Sequence, residues 1–173
     1  MSTVQARKWN QVFVDCDFRG KHDVVMLDDP NESFIVPIST IKGGQGRRYH
    51  VPVPNERQPS VAKVEYFEIV AVPPPHKPFC AVTLKTIRAT LRKEFRENFR
   101  DKYIGRMTTY RSVSVIELFK IDAHSVVVTQ DFKKLFTISH DLLPKWKPGD
   151  LAFESKKLTP LLLNNFPVLQ KYL

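Results

Sequence analysis

The chain has 173 residues, and its 27 lysines and arginines outweigh 18 aspartates and glutamates to give a formal charge of +9. An apolar fraction of 42% supports a real core, at a length that suits one domain. Two cysteines, Cys16 and Cys80, exclude a disulfide framework and read as buried free thiols in a reducing compartment.

Charge of this size favours nucleic acid, anionic lipid or an acidic protein as partner. The opening Met1-Ser-Thr-Val-Gln-Ala-Arg-Lys8 is polar and expected to be a flexible arm over 1–8, with no signal peptide. No stretch approaches the length of a membrane-spanning helix. Any meeting with a membrane is therefore expected from the cytosolic side, by surface contact.

Residues Gln11 to Phe18 alternate as a strand, and Arg19-Gly20-Lys21 supplies a turn. Val24 to Leu27 is a short apolar run closed by Asp28-Asp29-Pro30-Asn31, and Ser33 to Ile38 resumes the β pattern. Residues 42–59 differ. Gly43, Gly44 and Gly46 precede Arg47 and Arg48, and Val51-Pro52-Val53-Pro54 follows. Glycine frees the backbone and alternating proline blocks a central strand, so a basic surface loop and an extended segment are expected. Such a loop suits either a phosphate-reaching arm or a solvated linker.

Val61 to Val72 reads as one central strand, and Pro73-Pro74-Pro75-His76-Lys77-Pro78 as a stiff polyproline-like spacer. A long helix is predicted from Thr83 to Tyr103. Leu84, Ile87, Leu91, Phe95 and Phe99 share one face of it. Lys85, Arg88, Arg92, Lys93, Arg96 and Arg100 fall on one flank; Glu94, Glu97 and Asp101 fall on the other. Basic side chains beside an apolar seam often only snorkel around a core. Four arginines at intervals of four also make a line of forked donors suited to phosphates.

Gly105 is a candidate left-handed cap for that helix. Ser112 to Ile121 and Ser125 to Thr129 predict a hairpin across Asp122-Ala123-His124. Phe132 to Ile138 is apolar but of no clear type. Pro144, Pro148 and Gly149 break the chain. Lys157 to Leu173 predicts a short C-terminal helix interrupted at Pro167.

Catalytic and cofactor motifs are missing from the sequence. The five histidines, His22, His50, His76, His124 and His140, are scattered without metal-ligand spacing. Asp15, Asp17, Asp28 and Asp29 read as strand edge and turn rather than cation ligands. No cofactor, no metal and no enzymatic activity are expected.

One order of elements resembles a family. Tyr66-Phe67-Glu68-Ile69-Val70-Ala71-Val72, Lys77-Pro78-Phe79, a helix, Lys102-Tyr103-Ile104-Gly105 and the strand Val113 to Ile121 follow one another as in the central part of rhabdovirus matrix proteins. The small size resembles plant-infecting members. The resemblance implies a layer protein that binds the viral nucleocapsid, self-associates as a homo-oligomer and meets an anionic membrane. Pro74-Pro75-His76-Lys77 lacks the tyrosine of a Pro-Pro-x-Tyr budding motif, so recruitment of budding machinery is not implied.

Together these features predict a single α+β domain over 9–173, with a mostly antiparallel sheet packed on one long amphipathic helix. The basic flank of that helix, with Arg47 and Arg48, is the candidate anionic-surface or nucleic-acid site. The rival function is a viral nucleic-acid-binding protein, a movement protein or silencing suppressor, with Tyr49, Tyr103 and Tyr110 as candidate stacking residues. A second rival is an adaptor docking through the proline run.

Overall fold

A computed structural model of the protein describes residues 10–16, 20–29, 32–40, 49–53, 60–70, 77–78, 81–99 and 103–173. They form antiparallel sheet with a few helices, an α+β fold. The N-terminal arm, Arg47, Arg48, Pro73 to His76, Cys80 and Arg100 lie outside the described residues. The chain divides into two compact units, Met1–Leu91 and Arg92–Leu173.

In the first unit, β1 (Asn10–Cys16), β2 (Gly20–Asp29) and β3 (Glu32–Thr40) pair antiparallel in succession. Alternation found these strands, but β2 is longer than its apolar run. Gly20 and Lys21 belong to it rather than to a turn, and Asp28 and Asp29 pair with Ser33 and Glu32. Strand β3 then serves two partners. Ser33 to Ile35 pair with β6 (Glu68–Val70), and Ile38 to Thr40 pair with β5 (Ser60–Lys63). β4 (His50–Val53) pairs with β5, and β7 (Lys77–Pro78) runs parallel to β1.

The extended segment expected within 42–59 is the strand β4, with Val51 and Val53 buried and Pro52 exposed between them. One expectation is corrected: Val61 to Val72 is not one strand. It breaks at Val64–Tyr66, where the Val64 amide donates to the Tyr49 carbonyl and the Tyr66 amide to the Lys63 carbonyl. The turn lets Phe67 reach the core, edge-on to Phe34 at 5.3 Å.

The helix α1 spans Ala81–Asn98, 18 residues, and stops short of Tyr103. Its buried face carries Thr83, Ile87, Leu91, Glu94, Phe95 and, one residue past its end, Phe99. Leu84 is only half-buried, so the buried stripe is rotated towards the acidic flank.

The second unit is an antiparallel meander. Its order is β12 (Ala152–Glu154), β8 (Ile104–Tyr110), β9 (Val113–Ile121), β10 (His124–Thr129), β11 (Leu135–Ser139). Gly105 is a strand residue in β8, not a helix cap. A Cβ there would overlap Leu158 Cδ1 and come within 2.9 Å of Ile116 Cγ2, so glycine admits that close packing. Arg111 and Ser112 take positive φ in the two-residue β8–β9 turn, and Asp122 does so in the β9–β10 turn.

A bulge shapes β9. Val126 pairs with Phe119 but Val127 pairs with Glu117, so Leu118 is the extra residue. Strict alternation would put Glu117 and Phe119 on one face. The inserted residue separates them. Phe119 enters an aromatic cluster with Phe95 (5.7 Å), Phe99 (5.6 Å) and Tyr103 (6.1 Å). Glu117 turns to the opposite face. The C-terminal helix is borne out as α2 (Ser155–Asn165), which buries Leu158 and Leu162 and ends before a 3-10 helix at Pro167–Tyr172.

Candidate functional site

The basic flank of α1 divides into free and engaged cations. Lys85 and Lys93 are exposed. Arg92 is turned inwards: its Nε and one terminal nitrogen donate to the Lys171 carbonyl at 3.3 and 3.1 Å, and its guanidinium lies over the Tyr172 ring. Arg96 is exposed but also donates to the Leu173 carbonyl at 3.5 Å. Orphan carbonyls at a helix end need donors, so these two arginines hold the C-terminal 3-10 helix. Arg88 is half-buried and already partnered. On the other flank Glu97 is exposed, whereas Glu94 is 4% exposed and belongs to the interior. The predicted donor line therefore offers fewer free forks than its spacing suggests.

The candidate stacking tyrosines divide too. Tyr103 is buried and its hydroxyl lies 2.7 Å from Thr159 Oγ1; Tyr110 is buried; Tyr49 is half-buried.

A charge cluster that no sequence pattern announces lies on the opposite face of the meander. Arg106 is 1% exposed, with Nε 3.6 Å from Glu117 Oε1 and a terminal nitrogen 3.9 Å from Asp150 Oδ2. Among the described residues its Nε and other terminal nitrogen find no hydrogen-bond partner. Glu117 Oε2 accepts from Ser125 Oγ at 2.8 Å and lies 3.0 Å from His140 Nδ1. The local signal for this cluster is slight: Arg106 is the one charge in β8, and Glu117 shares β9 with Lys120.

Ser125, His140 and Glu117 are the residue types of a nucleophilic triad without its geometry. Ser125 Oγ (2.7 Å) and Glu117 Oε2 (3.0 Å) both meet the same ring nitrogen, Nδ1. A relay needs serine and carboxylate on opposite nitrogens, and Ser125 is fully buried. The cluster instead seats a loop. The Arg106 guanidinium lies 5.2 Å from the Trp146 ring centre, beside a cavity of about 330 Å³ that His140, Asp141, Leu143, Pro144 and Lys145 also line.

In the first unit, His50 Nε2 lies 3.2 Å from Glu65 Oε2. Glu65 is 1% exposed, and its burial pushes the carboxyl above the usual range despite the opposing pull of His50 and Lys63. This pair ties the Val64–Tyr66 turn to β4.

Among the described residues no three of His, Cys, Asp or Glu gather as metal ligands, and no helix is long and apolar enough to cross a membrane. Compared with protein families and with curated proteins, the chain matches none.

Proposed function

We propose that this protein is a matrix-like structural protein of a virion, which binds nucleocapsid and anionic membrane and self-associates during assembly. It would work in host cytoplasm at the inner face of a membrane. The observation that carries the reading is the charge balance: +9 overall, with Lys85 and Lys93 presented to solvent on one helix. Cations near an anionic surface each contribute about 1 kcal/mol, and their attraction falls with salt. In the same reading the Leu84 to Phe99 seam of α1 is the cover that a sheet with an apolar face requires. The contacts of Phe95 and Phe99 with Phe119 support it.

The rival nucleic-acid reading needs aromatics free to stack. Burial of Tyr103 and Tyr110 weighs against it. The test is a Lys85→Glu/Lys93→Glu variant, which spares the arginines that hold the C-terminus. Its retention on anionic vesicles should fall steeply at physiological salt. A folded variant that binds like the wild type would overturn the assignment of these residues.

A further inference from the structure

The segment from Leu142 to Leu151 exposes more apolar surface than a solvated loop needs. Leu142 is 58% exposed, Trp146 50% and Leu151 58%. Lys145 and Lys147 flank the tryptophan and are exposed as well.

This loop is built rigid. Lys147-Pro148-Gly149-Asp150 forms a turn in which the Asp150 amide donates to the Lys147 carbonyl at 3.1 Å. Proline suits the second position of a type II turn, and Gly149 at φ +90° supplies the third. The Asp150 carboxylate closes the turn by accepting the Lys147 amide at 2.8 Å. The Met107 amide holds the Leu151 carbonyl at 2.9 Å, and Arg106 supports the indole from beneath. An exposed tryptophan fixed in place loses little entropy on docking.

Resting on the membrane-binding reading above, we propose that this loop is the apolar anchor of that surface contact, docking on an anionic bilayer. Trp146, Leu142 and Leu151 enter the interfacial layer, and Lys145 and Lys147 meet lipid phosphates. Indoles favour the headgroup level, and lysines reach back to it. An apolar anchor plus basic charge is the two-signal combination that holds a peripheral protein on a membrane. The two leucines decide between bilayer and nucleic acid: they gain from hydrocarbon but offer a base nothing to stack on. The cavity beneath is not the docking element, because Asp141, Glu117 and Asp150 balance the cations around it.

Trp9 and Trp146 are the two tryptophans, so Trp9→Phe leaves Trp146 as the sole indole reporter. With phosphatidylserine-containing vesicles, its emission should shift to the blue and be quenched by lipids brominated near the headgroup. Phosphatidylcholine vesicles should produce neither effect. In the otherwise native chain, Leu142→Ser/Leu151→Ser should lower partition into the anionic vesicles about tenfold. Both positions are exposed, so the fold should not depend on them. Vesicle binding with Trp146 unquenched, or undiminished in the serine variant, overturns the loop assignment and leaves the membrane reading standing. Quenching of Trp146 by single-stranded RNA but not by vesicles overturns it in favour of a nucleic-acid contact. A wild-type chain that sediments with no anionic vesicle overturns the membrane reading and this inference together.

Discussion

Arg106→Met is the perturbation that most sharply tests the charge cluster under the Trp146 loop. Methionine fills much of the same volume but removes the cation shared by Glu117 and Asp150. Asp150 is partly exposed and can turn to water; the Glu117 side chain is only 10% exposed and cannot. Breaking a buried pair from one side costs about 3–5 kcal/mol, chiefly by stranding the other charge. Ser125 and His140 still contact Glu117, which argues for the lower end, about 3 kcal/mol. With a slope near 2 kcal/mol per molar urea, the unfolding midpoint should drop by about 1.5 M. Adding Glu117→Gln removes the stranded charge, so the double variant should recover about 1–2 kcal/mol relative to Arg106→Met alone. Urea titration followed by circular dichroism reads both numbers. A drop below about 0.5 M, or a double variant worse by the full cost of each change, would refute the argument.

Other consequences are simpler. Phe95→Ala empties a site with no exposure among Phe99, Phe119 and Tyr172, and should cost about 3–5 kcal/mol in the same titration. Lys93→Ala one turn face away should cost almost nothing. Gly105→Ala drives a methyl against Leu158 and Ile116 and should cost about 1–3 kcal/mol; a neutral result would mean that α2 sits further from β8. Glu65 holds its proton more tightly folded than unfolded, because burial outweighs the cations near it. Its contribution is therefore full below the ordinary carboxylate range and is lost as pH rises through the raised value. Glu65→Gln should flatten that decline in a stability–pH profile, and an unchanged slope would count against the buried carboxyl as its source.

Short-range patterns carried the parts of the fold that the chain decides locally. Alternation and turn residues located β1, β3 and the β9–β10 hairpin, and the repeat of Leu84, Ile87, Leu91 and Phe95 located α1. Errors arose where a distant partner decided. Phe99 and Tyr103 continue the helical spacing, yet both rings join Phe119, and Gly105 enters β8 instead of capping a helix. The break at Val64–Tyr66 has no glycine or proline to announce it; the Tyr49 carbonyl and His50 hold it from across the sheet. Glu117 shares a face with Arg106 by direct pairing and parts from Phe119 only because Leu118 bulges, an event of register that alternation cannot express. Arg92 reads as a phosphate fork by spacing alone, because its acceptor, the Lys171 carbonyl, lies 79 residues away. The exposure of Trp146 was equally hidden, since a tryptophan between lysines is core or surface according to what packs beneath it.

The most direct measurement is co-sedimentation of the purified protein with anionic liposomes over a salt series, with and without competing RNA. Liposome binding should weaken with salt and survive the RNA. Complete displacement by RNA, with a steep salt slope for RNA itself, would contradict the membrane reading and make this a nucleic-acid-binding protein.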